Sequence, residues 1–439
     1  MSITRTALVG GLLAVAFCVG APTVHARALV GTAGDGNLGL FLPTPAVGLP
    51  NPAIQQIAGF PAGAQPHGTA IIGTNQGLVA DFANSRVFLV SLQPAQVTAT
   101  LPTPGYNGSG TLAVSPDRSV ALASGFVAQL TVIRAPFSAT SALSQIQLPA
   151  PIASFATQNI DFDAQGRAYV RHTAGISVID PPYQAVAFTL PLNSLRGGGI
   201  AVSPDGSRLI TGYVVSAPVD LPARAENAPS PAPGPVLGDL PAGVAGGTAE
   251  AGLDVFTLPL GAASTAQRVA LLDCACYFAA VQITPDGQRA VLGVLSDVPD
   301  SVPVVHSLPA PFTDPSALQA LPLPPGFVGA QGFEDIGISA DGSEAILTGQ
   351  SLTGGSFGGL PALHLRAPFT TAGVQASALV VPGGRGAGSV RYAPAGTLPP
   401  PPPPVAAQPV PTLTPWQLLL LAAALAWLGG GRLRRRSAA

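Results

Sequence analysis

The chain has 439 residues, 9% of them charged, and all 19 of its basic side chains are arginine. Glycine (52) and proline (48) are too frequent for helical bundles or coiled coils, and suit short strands joined by many turns. A formal net charge of −2 with no basic stripe in the central region argues against nucleic acid as a partner.

The amino end reads MSITRTALVGGLLAVAFCVGAPTVHARA, with Arg5, an apolar stretch and a small-residue site ending VHA. This is the pattern of a secretory signal peptide over residues 1–26, cleaved after Ala26 and read by the Sec translocon. Cleavage there and loss of the chain from residue 411 onward would leave 14 arginines against 21 acids, a mildly acidic exported body near −7.

Residues 27–396 carry a recurring phrase: LAVSPDRSVALASG (112–125), IAVSPDGSRLITG (200–212), VQITPDGQRAVLG (281–293) and IGISADGSEAILTG (336–349). Weaker copies are VADFANSRVFLV (79–90), IDFDAQGRAYV (160–170) and VRYAPAG (390–396). Each reads as strand, turn, strand. The turns end at Asn84, Arg118, Gly166, Gly206, Gly287, Gly342 and Gly396, where a backbone with positive φ favours glycine or asparagine. Arg118 breaks that rule.

A second phrase follows each hairpin, as in LTVIRAPF, VPVVHSLPAPF and LHLRAPF, and a further short strand follows that. Four strands per unit at a period of 40–55 residues predict an all-β chain, a β-propeller of seven blades, with six as the alternative. One long interval holds a Pro/Ala/Gly-rich loop insertion at 215–250. The last copy stops after one strand, so strands from the amino end, including NLGLFLPTPAVGLP, are expected to complete its blade and close the ring. The SPDG hairpins resemble those of YVTN-type and lactonase-like propeller families, a likeness in repeat style over residues 60–396.

Few residues suggest chemistry. Asp117, Asp205, Asp286 and Asp341 are expected to shape their turns through side-chain hydrogen bonds rather than to ring a ligand. Asp161 and Asp163 share one strand face and could touch a calcium ion, but no loop of calcium-binding spacing follows. Cys274 and Cys276 alternate on a strand, and we read them as small buried hydrophobes, a disulfide across so short a ring being uncommon. They lack the further ligands that zinc requires. His172 and His306 stand alone on strands. His67 lies in a Pro-His-Gly phrase, which in the lactonase-like resemblance implies a possible site residue, although the bare sequence reads it as a turn histidine. No metal, cofactor or catalytic residue set is expected.

After residue 396 a polyproline linker, 397–409, reads as a stiff extended spacer. The chain then ends VPTLTPWQLLLLAAALAWLGGGRLRRRSAA over 410–439. Its apolar run spans about 24 Å as a helix, short for a bilayer core of ~30 Å. Arg432, Arg434, Arg435 and Arg436 would stop transfer and remain on the cytoplasmic side. Val410, Pro411, Thr412, Leu413 and Trp416, followed by this helix and basic tail, closely resemble the IPTL-CTERM sorting signal of exported proteins of Gram-negative bacteria. The resemblance implies a transient inner-membrane anchor, cleaved by an exosortase-type transpeptidase, and a body then placed at the cell surface or released.

Two functions of different class follow. One is a surface or extracellular-matrix propeller acting as a binding or structural module, with a polysaccharide or matrix protein as its candidate partner. The other is a lactonase-like hydrolase using the central channel. A converging Glu/His/Arg set at the channel mouth would favour the enzyme.

Overall fold

The structure is a computed structural model that describes residues 28–32, 39–41, 54–82, 84–103, 111–125, 127–152, 158–194, 198–216, 249–274, 276–296, 304–325, 332–351, 358–359, 362–379 and 387–393. The expected signal peptide with Ala26, the expected linker at 397–409 and the whole of 410–439, expected to be a sorting signal, lie outside them. The chain divides at Gly396, one compact unit running to that residue and a second from Thr397 to the end.

The described residues are almost entirely β, with one short 3-10 turn at Pro315–Ala317. The strands form antiparallel units of four. Residues 66–102, 111–147, 160–191 and 200–272 each make one sheet. Residues 276–321 and 332–379 make two more units, merged by one pairing between Leu295 and Gly332 and extended by Gly358–Gly359. The remaining sheet pairs Ala387–Tyr392 with Ala28–Thr32, followed outward by Gly39–Phe41 and Ile54–Gln56. Both ends of the folded region therefore share one sheet, and no strand edge is left where they meet.

The first strands of the units pack side by side, from Pro66–Ile71 through Thr111–Val114, Ile160–Phe162, Ile200–Val202, Cys276–Ile283 and Gly332–Ile338 to Ala387–Tyr392. That last strand packs against Pro66–Ile71 again. Sheets arranged as blades around an axis in this way make a β-propeller.

Burial explains the sequence pattern. A second strand such as Val120–Ser124 is buried on both faces, sending Ala121 and Ala123 into one apolar cluster and Val120 and Leu122 into the next. Such strands read as unbroken apolar runs, as any strand covered on both faces must. Fourth strands such as Ala95–Pro102 alternate between buried and exposed, because their edge faces water. Each apolar cluster draws on two neighbouring sheets, so the core is a set of wedges between blades.

The repeated turns keep one geometry. Gly166, Gly206, Gly287 and Gly342 have φ between 68° and 83°, and Arg118 takes φ 59° at the equivalent place. The turn imposes the left-handed backbone there even on a residue with a Cβ. The phrase at 79–90 needs correction. Asn84 joins the second and third strands of its sheet, whereas the turn between the first and second strands lies at 72–75. An alternating strand, a polar turn and another strand look alike at either connection. The loop insertion is also narrower than 215–250, since Ser216 and Ala249 still pair across the two flanking strands. Among the described residues six cis X-Pro bonds, including Ala135–Pro136, Ala310–Pro311 and Ala367–Pro368, occupy the connections between third and fourth strands.

Candidate functional site: a polar cup on the propeller axis

Strand direction alternates within each unit. The turns after first strands therefore lie on the same rim as the cis-proline connections. On that rim the ends of the inner strands surround a cavity of about 240 Å³. Its wall includes Gln158, Asp161, Phe162, Gln282, Arg391 and Tyr392.

Gln158 braces the cup. Its side-chain oxygen accepts the Val281 N–H at 2.8 Å, and its amide nitrogen donates to the Ile336 carbonyl at 2.5 Å and to Gln282 Oε1 at 3.1 Å. One buried side chain thus ties three inner strands together, satisfying backbone groups that would otherwise be orphaned at the axis.

Two acids nearby, half-buried Asp161 and buried Asp335, do the same between neighbouring blades. Asp161 accepts its neighbour's Phe162 N–H at 2.8 Å and the Val202 N–H of the next inner strand at 2.7 Å. Asp335 accepts the Ile336 N–H at 2.8 Å and the Val390 N–H at 3.0 Å, and receives Arg391 Nη1 on both oxygens at 2.8 Å. At the adjacent seam Thr69 and Ser389 share a hydroxyl hydrogen bond of 2.7 Å.

Burial pushes the Asp161 carboxyl up to about 6, against the two backbone N–H groups and the Arg391 guanidinium, which favour its charged form. Asp161 keeps acceptor capacity beyond its two backbone bonds. Arg391 spends Nη1 on Asp335 and on the Val390 carbonyl, and among the described residues Nε, Nη2 and the Gln282 amide nitrogen form no hydrogen bond. The cup therefore offers a carboxylate, a guanidinium edge and an amide donor beside the rings of Phe162 and Tyr392.

The residues singled out in the sequence fall elsewhere, apart from Asp161. His67 is buried on its inner strand, 3.9 Å from Glu334 and with its ring 5.4 Å from that of Phe82, and does not line the cup. Burial draws its pKa down to about 4. Gly388 lies against it, where a Cβ would stand 2.8 Å from His67 Cδ2. His172 bonds Ser177 at 2.8 Å, and His306 packs edge-on near Phe278; burial lowers both to about 4.

Asp163 shapes its own turn. It accepts the Gln165 and Arg167 N–H groups and the Tyr169 hydroxyl, serving in its turn as Ser203 does in another. No group of three or more potential metal ligands occurs among the described residues.

The turn aspartates are structural. Asp205 accepts the Ser203 hydroxyl at 2.5 Å and the Ser207 N–H at 3.0 Å, and Asp117, Asp286 and Asp341 repeat the pattern. These bonds lower the Asp205 carboxyl to about 2. Cys274 and Cys276 are joined as a disulfide, with Cα atoms 5.2 Å apart, and are not the two separate hydrophobes expected. No helix among the described residues is long and apolar enough to cross a membrane.

Sequence reasoning missed Gln158, Gln282, Asp335 and Arg391. The available signal was polarity inside inner strands, as in GFEDIGI and AGSVRY, where both faces are otherwise apolar or small.

No protein-family model matches the chain, and no curated protein is similar to it. Solved structures do resemble it. A protein from Lactobacillus plantarum aligns at a TM-score of 0.57 and 12% identity, covering 84% of this chain and 99% of its own. A functionally unknown protein from Desulfotomaculum acetoxidans aligns at 0.54 and 13%, with the same coverages of 84% and 99%. The Neurospora crassa Pan2 WD40 domain aligns at 0.46 and 11%, covering 73% and 85%. At such identities the likeness of the first two is one of fold.

Proposed function

We infer that this chain is an exported seven-bladed propeller, sorted to the cell surface or released by its carboxyl-terminal signal, and working there as a binding module. The carrying observation is the ordered run VPTLTPW, apolar segment and arginine cluster at 410–439, set behind a polyproline spacer. Seven units of four strands, each first strand packed on the next, support the blade count. The partners implied are the Sec translocon, the inner membrane and an exosortase-type transpeptidase.

A hydrolase would need reactive groups converging on an accessible site. Two histidines approach an acid, His364 with Glu344 at 3.6 Å and His67 with Glu334 at 3.9 Å, and both histidines are buried outside the cup. The cup itself holds hydrogen-bonding groups braced by backbone contacts, which suits binding over turnover.

Intact-mass analysis of the protein recovered from cells with and without the sorting enzyme tests this reading. Loss of residues 1–26 in both, and of the arginine tail only when the enzyme is present, is the expected result. A carboxyl end unchanged in both would replace sorting with a plain membrane anchor.

A further inference from the structure

We propose that the axial cup binds a neutral polyhydroxylated ligand about the size of one sugar ring, such as the end residue of a glycan. The proposal rests on the reading of the propeller as a binding module and names its ligand.

Size comes first. At about 240 Å³ the cavity falls below the usual range for drug-sized ligands, and suits one ring better than a peptide or nucleotide. Chemistry narrows it further. A hydroxyl both donates and accepts, so neighbouring hydroxyls can donate hydrogen bonds to Asp161 while accepting them from Arg391 and Gln282. Planar polar groups that spend part of their capacity on neighbouring protein groups are held in place and lose little freedom on binding. Phe162 and Tyr392 supply apolar wall for the C–H face of a ring.

Charge excludes the obvious competitors. Arg391 is already neutralised by Asp335 on two oxygens, so with Asp161 ionised the three groups sum to −1. An anionic ligand would meet that excess. A simple cation would leave the Arg391 and Gln282 donors facing a positive charge.

The test uses the protein as recovered from its cells and saturation-transfer NMR with methyl hexopyranosides, linear oligosaccharides and a cyclic oligosaccharide. Transfer to the glycosides and to the end rings of the linear sugars, with none to the cyclic one, is expected. Tighter binding of the linear sugars would identify a glycan end, and equal binding a free sugar. Asp161→Asn and Arg391→Lys should each weaken binding by about tenfold or more while the melting transition is kept. Wild-type affinity should also rise with pH through about 6 and then level, as the Asp161 carboxylate becomes available, a measurement that needs no variant. Absence of transfer to every sugar, preferential binding of methylammonium or calcium ions, or a pH-independent affinity untouched by both substitutions would overturn it. None of these results bears on processing of the chain's ends, so the sorting reading stands or falls separately.

Discussion

Gln158 and Gln282 share a side-chain hydrogen bond of 3.1 Å although 124 residues separate them, and the same Gln158 amide reaches Ile336 on a third inner strand. Propeller blades are stitched mainly through apolar wedges, so a polar brace at the axis carries the matching of blades that are distant in sequence. Gln158→Leu would leave the Val281 N–H and the Ile336 carbonyl buried without that partner. At about 1–3 kcal/mol per orphaned group, a loss of roughly 2–6 kcal/mol is expected, read as a lower urea midpoint at unchanged slope.

The buried histidines predict acid sensitivity. His67, His172 and His306 all titrate near 4 in the fold, against 6.5 when exposed. Their neutral forms are favoured by folding, so the stability they contribute is complete above 6.5 and is lost as pH falls toward 4. Urea unfolding at pH 7 and at pH 4.5 should show the loss. Replacing His306 with Gln should make it shallower.

Asp161 acts with the opposite sign. Its folded pKa is raised from 3.8 to about 6, so its contribution is fully present below 3.8 and falls away as pH rises through 6. It partly offsets the histidines in the same window. Asp161→Asn should therefore steepen the decline in stability on acidification, measured by the same unfolding series.

Arg118 holds φ 59° where the four matching turns have glycine. Relief of the Cβ contact in the left-handed region is worth about 1–2 kcal/mol. Arg118→Gly should raise the melting temperature, less any gain in unfolded-chain entropy that glycine brings. The equivalent change at Gly206, to alanine, should lower it.

Gly388 sits where the closing sheet meets the first. A Cβ there would lie 2.8 Å from His67 Cδ2 and 3.0 Å from the His67 carbonyl oxygen. Because the backbone on both sides is held in sheets, Gly388→Ala should destabilise by about 1–3 kcal/mol. Thermal melts of this variant beside Gly261→Ala, whose Cβ would meet open space, would check it.

Much of the fold was legible in the chain alone. Repeated SPDG turns, alternating strands and the apolar second strands specify a four-stranded unit, because turn chemistry and period-two burial are local properties. The turn role of Asp205 and its counterparts was legible for the same reason: the groups they bind lie within a few residues. The amino end was also expected to complete the last blade, since a lone strand at 390–396 cannot stand unpaired.

Only the tertiary structure decided the cup. Gln158, Asp161, Gln282, Arg391 and Asp335 come from inner strands or their ends scattered over more than half the chain, and each looks in sequence like a local polar interruption. What makes them a site is that closing a ring brings the first strands together around one axis, where buried backbone groups must be paired and the side chains that pair them have capacity to spare. The same closure carried His67 away from solvent and into the seam against Gly388, which its Pro-His-Gly phrase could not foretell.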